Sequence, residues 1–168
     1  MFQSRSQFTC YQFFIFDIHL HRIKTVSFHG NANMDKMKNY FEQENFATIS
    51  GIETIDIGPG YAKVEMKIEP RHLNILGSVH GGALFTLADT AFAVASNSHG
   101  TVAVAINANM SFVKAVGEGT LSAEAKETSI NHKIATYDVI IKNEYGETIA
   151  LFDGMAYRKK TELKYPEE

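Results

Sequence analysis

Read as a string of apolar and polar positions, the chain changes period three times. Between Asp35 and Asn45, Met37, Tyr40 and Phe41 share one face at helical spacing, which predicts an amphipathic helix. From Phe46 the spacing becomes two. Ile49, Ile52, Ile55 and Ile57 predict a first strand. After the Gly58-Pro59-Gly60 turn, Ala62, Val64, Met66 and Ile68 alternate with Tyr61, Lys63, Glu65 and Lys67 as a second strand with one wet face. Pro70 ends it. A polar, glycine-containing loop then opens into an apolar run, Ala83 to Ser96, broken only by Thr86, Asp89 and Thr90. Its apolar residues cover all sides, Leu84, Leu87, Ala88, Ala91 and Val94 among them and Phe85 and Phe92 elsewhere, so no solvated stripe is left and a buried helix is predicted. Gly100 supplies its left-handed C-terminal cap.

Four strand-like runs follow: 101–113, 120–128, 134–142 and 148–157, separated by Gly117-Glu118-Gly119, Asn131-His132 and Asn143-Glu144-Tyr145-Gly146. Such short links imply antiparallel pairing. The order is therefore helix, two strands, long helix, four strands. An α+β architecture, one antiparallel sheet curled around a single central helix, is the simplest way to bury that helix. Residues 1–33, rich in Phe and His without a clear period, read as an N-terminal extension not needed for the fold. Residues 34–160 form the single domain, and 161–168 a charged, solvated tail.

Composition removes several function classes. A chain of 168 residues is long enough for one core. A net charge of −3 argues against non-specific nucleic-acid binding, which needs a strong positive field. No apolar run approaches the ~20 residues that span a bilayer. The Phe13-Phe14-Ile15-Phe16 patch is interrupted by Asp17, His19 and His21 and lacks a small-residue cleavage site, so it does not read as a signal peptide. Cys10 stands alone, which rules out an intrachain disulfide or a thiolate metal cluster and fits a cytoplasmic location. The histidines show no metal-ligand spacing, and no metal is expected.

Two local features carry chemistry. Asp89 is the only charge in its helix, and a lone buried carboxylate costs several kcal/mol unless it is paired or its pKa rises. At the helix start, Gly81 and Gly82 present backbone N–H groups with no partner in the helix. Glycine allows close approach, and the helix dipole adds about half a positive charge, which makes an oxyanion site. Each residue also has a plainer reading. Asp89 could be satisfied by a neighbouring backbone group, His80 could be a loop or cap residue, Gly81-Gly82 a tight turn and Asn74 a turn residue.

The combination changes those odds. Asn74, Gly77, His80-Gly81-Gly82, Leu87-Ala88-Asp89, then Thr90-Ala91-Phe92-Ala93 and Asn97-Ser98, resembles the hotdog-fold acyl-CoA thioesterases. The PaaI-type branch of phenylacetic acid degradation is the nearest match, and the likeness runs from about Gly51 to Lys160. The resemblance implies a hotdog fold, about five to six strands wrapped around one long helix. It implies a homodimer with sheets joined side by side, commonly paired again into a homotetramer, and thioester hydrolysis without metal or cofactor. It casts the Gly81 N–H as the donor that polarises the carbonyl and Asp89 as nucleophile or general base. Asn74 would help hold the substrate or the attacking water, and His80 would orient the loop. Some members carry a hydroxyl near the position of Ala105, which alanine cannot replace.

Helical geometry constrains that assignment. Residues 81 and 89 lie roughly 12 Å apart along one helix and about 80° apart around it. Reacting atoms must come within ~3 to 3.5 Å, so both can serve one thioester only if Asp89 comes from a neighbouring subunit across a two-fold axis. Gly82, Phe85 and Phe112 are candidate substrate contacts, and Lys114 and Arg158 could meet coenzyme A phosphates at a pocket mouth. The acyl group expected is aryl-acetyl or of medium length. Two other functions compete: an acyl-thioester dehydratase or hydratase with His80 and Asp89 as the working pair, and a non-catalytic acyl-CoA-binding protein. The N-terminal 45 residues lack two clear helices and a basic recognition stretch, so nucleic-acid binding is not expected, nor is a membrane partner.

Overall fold

The computed structural model describes residues 32–165. The proposed extension therefore lies, up to residue 31, outside the described residues. Helix α1 spans Ala32–Phe41 and a short helix α2 spans Asn45–Ile49. Strands β1 (Ile52–Gly58) and β2 (Tyr61–Lys67) lead through a 3-10 turn, Pro70–His72, to helix α3 (Gly81–Asn97). Strands β3 (Thr101–Phe112), β4 (Thr120–Ile130), β5 (Ile134–Asn143) and β6 (Thr148–Glu162) complete one antiparallel sheet in the order β1-β2-β4-β5-β6-β3. This is the α+β hotdog arrangement anticipated from the sequence.

Three boundaries differ from the expectation. Ile49 belongs to α2 rather than to a strand. The Glu44 side chain accepts from the Phe46 and Ala47 amides and so starts a helical turn, which ends at Gly51 with φ of 67°. The first helix ends at Phe41 instead of Asn45. The last strand continues past Tyr157 to Glu162, because Thr101 of β3 still pairs with Glu162.

The core lies between α3 and the inner sheet face. Val64, Ala123, Ile141 and Ala150 stand opposite one another across β2, β4, β5 and β6, and all are fully buried. Small residues such as Ala62, Ala123, Ala125, Ala135 and Ala156 bring the sheet close to α3, which touches all six strands. Phe92 fills the gap so created. Its ring meets Tyr137 at 5.4 Å and Phe152 at 5.7 Å, and a Cβ on Gly154 would lie only 3.0 Å from it.

The helix is less enclosed than its sequence predicts. Leu84, Leu87, Ala88, Ala91 and Val94 are buried. Gly82 and Phe85 are exposed, and Thr86, Asp89, Thr90 and Ala93 only half-buried, so the described residues leave one helical stripe uncovered. Asp89 sits in that stripe.

Candidate active site

The loop before α3 is built by its own side chains. The Asn74 Oδ1 accepts from the amides of Leu76 and Ser78 at 2.9 and 3.3 Å, and its Nδ2 donates to Ser78 Oγ at 3.0 Å. A Leu73–Val79 bridge closes the loop, and the Val79 amide donates to the Val116 carbonyl. Asn74 thus organises the turn that presents the start of α3. Ile75 and Leu76 are left at the tip, 100% and 86% exposed.

His80 is the N-cap of α3, and its Nδ1 accepts from the Gly82 amide at 2.8 Å. In the neutral ring that bond goes with a proton on Nε2. The cap also leaves one donor open: the Gly81 N–H has no acceptor among the described residues. Both glycines lie close to a side chain. A Cβ on Gly82 would come 3.0 Å from His80 Nδ1, and one on Gly81 would come 3.0 Å from the Phe112 ring.

Two cavities of similar size, about 380 Å³ each, flank the helix. One, at its start, is lined by Asn74, Ser78, Gly81, Leu84, Phe112 and Lys114 among others. The other, half-way along, is lined by Phe41, Glu44, Phe46, Phe85, Asp89 and Ala93 with Thr86 and Thr90. No residue lines both. A third depression, bordered by Phe46, His72, His80, Gly82 and Thr86, runs between the helix start and α2.

Asp89 has no hydrogen-bonding or ionic partner among the described residues. Burial first, and the nearby Glu44 carboxylate second, raise its carboxyl above the ordinary aspartate value of 3.8. The plainer reading, an aspartate satisfied by its surroundings, does not describe this side chain.

The remaining candidates divide. Gly81, Asn74, Phe112 and Lys114 share the cavity at the helix start, while Phe85 shares the other with Asp89. The Lys114 ammonium is paired with Glu147 at the cavity edge. Arg158 is not brought to either. It lies opposite Ala103 near the start of β3, where Nη1 donates to the Asn131 carbonyl at 2.8 Å. Phe112 is nine residues along that strand, roughly 30 Å away. Sequence reasoning missed Phe41, Glu44 and Phe46, which reach Asp89 from about 45 positions earlier. It also passed over His72, which is buried and joins the Ser50 carbonyl to the Glu69 amide.

The family model described as Thioesterase superfamily matches residues 76–150, which run from the tip of the loop to β6. Over 119 residues the chain is 40% identical to the acyl-coenzyme A thioesterase PaaI of Escherichia coli, an alignment covering 70% of this chain and 85% of that one. The chain belongs to the PaaI-type hotdog thioesterases. The solved structure of Escherichia coli PaaI superposes with a TM-score of 0.75 at 34% identity, over 79% of this chain and 96% of that chain. A mutant of the phenylacetic acid degradation protein PaaI from Thermus thermophilus superposes at 0.65 and 37% identity, over 68% and 98% respectively. Like the family, this thioesterase is a thioester hydrolase. None of its described helices is long and apolar enough to cross a membrane.

Proposed function

We propose that this thioesterase hydrolyses an acyl-CoA to the free acid and coenzyme A at two equal sites of a homodimer. Each site combines Asp89 of one subunit with the Gly81 N–H of the other. The observation that carries this reading is the half-buried, unpartnered Asp89 on the uncovered stripe of α3, in a cavity separate from the one at Gly81. An antiparallel second copy of α3 supplies what a single helix cannot, an oxyanion donor within reach of the carbonyl that Asp89 serves.

The surface of the chain supports such a copy. Strand β3 is a sheet edge whose Val104, Ile106 and Phe112 are 38%, 52% and 61% exposed, and an open apolar edge favours pairing with another edge. Joining two β3 edges extends the sheet and lays the two helices side by side. A homotetramer, expected by resemblance, would need a further interface of the same kind.

In the proposed reaction the ionised Asp89 removes a proton from water as the water oxygen attacks the thioester carbon, or attacks that carbon itself to form a mixed anhydride that water hydrolyses once the thiolate has left. Charge developing on the carbonyl oxygen is met by the Gly81 N–H and the positive end of α3. The C–S bond then breaks and the thiolate leaves, a good enough leaving group that no serine–histidine pair, metal or cofactor is called for. The rings of Phe41, Phe46 and Phe85 suit an aryl-acetyl or medium-length acyl group beside Asp89. Lys114, which lines the other cavity, would meet coenzyme A there.

Asp89→Asn should lower kcat by about 10²–10⁴-fold on every acyl-CoA of a thiol-release panel while leaving the fold intact by circular dichroism. Near-normal turnover in the folded variant would overturn the proposal. In the wild-type enzyme kcat/KM should fall as the pH drops through a value above the ordinary aspartate range, because only the ionised carboxylate can act.

A further inference from the structure

The linker between α1 and α2 brings a second carboxylate to the cavity that holds Asp89. Glu44 is the N-cap of α2, its Oε1 accepting from the Phe46 amide at 3.1 Å and its Oε2 from the Ala47 amide at 2.6 Å. Two amide donors to one carboxylate fix its position. The same residue lines the Asp89 cavity, between Phe41 and Phe46.

We propose that Glu44 is a positioning residue for thioester hydrolysis: it holds the α1–α2 elbow beside α3 and presents a fixed negative charge to Asp89, setting the pH range in which Asp89 acts. This rests on Asp89 being the group that takes the proton or attacks.

The charges facing Asp89 are few. Among the described residues, its cavity is lined by no titratable group other than Glu44 and Asp89 itself. On α3 Asp89 is the only charge, and the sheet meets the helix with apolar residues. Lys38 of α1 pairs at 3.8 Å with Glu42, just beyond the end of that helix. Arg71, His72 and His80 line the neighbouring depression, beyond Phe46 and Thr86. With no cation in the cavity, the repulsion between the two carboxylates is not offset there. It acts in the same direction as burial, keeping Asp89 a stronger base than an ordinary aspartate.

Charge and capping can be separated. Asparagine and aspartate are comparably good N-caps, but only aspartate is ionised. In the full chain, Glu44→Asp should keep the acid limb of the kcat/KM profile where the wild type has it. Glu44→Asn should move that limb to lower pH, so that at a pH on the limb it retains roughly twofold more of its own plateau activity. A purely structural role would lower both plateaus and leave the limbs together. Coincident limbs for the two variants, with Asp89→Asn inactive, overturn the role of Glu44 alone. An active Asp89→Asn removes the underlying mechanism instead. Should Glu44→Asn not fold, the wild-type limb is followed in low and high salt. Screening of a neighbouring anion moves it to lower pH, and a limb indifferent to salt overturns the proposal.

Discussion

The start and the middle of helix α3 offer opposite chemistry. At the start an open Gly81 amide, the positive end of the helix and a loop braced by Asn74 await negative charge. Half-way along, two carboxylates share a cavity with three aromatic side chains and, among the described residues, no cation. The first can stabilise an oxyanion but has no base. The second has a base but no donor for the oxyanion. The rigidity of α3 keeps its start and its middle apart, which is why the mechanism proposed above sets the helix opposite a copy of itself.

That contrast can be broken outright. An Asp89→Asn chain and a Gly81→Val chain, co-expressed with different tags, should each be nearly inactive as homodimers. The purified mixed dimer should recover about half of wild-type activity, since one of its two sites keeps both Asp89 and Gly81. A site contained within one subunit would show no recovery.

A gentler change at the helix start sharpens the comparison. Gly81→Ala places a methyl group against the exposed Phe112 ring and should displace the amide slightly, lowering kcat/KM by about tenfold. Phe112→Ala in the same chain should restore part of that loss if the clash is the cause, as the coupling in a double-mutant cycle would report.

The smallest expected effect is on stability, at the middle of the helix. Asp89 has a higher pKa folded than unfolded, so the folded state binds the proton more tightly and stability declines as pH rises through that range. Asp89→Asn should therefore raise Tm at neutral pH, by an amount that shrinks as the pH falls toward 4 and the wild-type carboxyl is protonated in both states. A variant equally stable with the wild type at neutral pH would mean that the carboxylate is better solvated than its cavity implies.

Legibility followed the range of the interactions concerned. Strands β2, β4 and β5 were readable because one face packs on α3 and the alternation of burial is written into neighbouring residues. Helix α2 was not. Ile49 was read with Ile52 as part of a strand although the two stand three positions apart, a helical spacing, and the helix owes its form to the Glu44 cap. A carboxylate directly before Asn45 was the one local signal that could have revealed it. The open stripe on α3 was missed for a related reason. Apolar residues all round predict complete burial, yet the sheet covers only part of the helix, and the other described elements leave a stripe open.

By its residues alone, the chain determined the order of its elements, the placement of two glycines at a helix start and the isolation of one acid eight positions later. These are local matters of period, capping and charge. Only the tertiary structure decided that the acid faces outward, that Glu44 and three phenylalanines surround it, and that Arg158 stands at the far end of the sheet. Those outcomes depend on strand order and register, which join residues dozens of positions apart and are encoded in no short-range pattern.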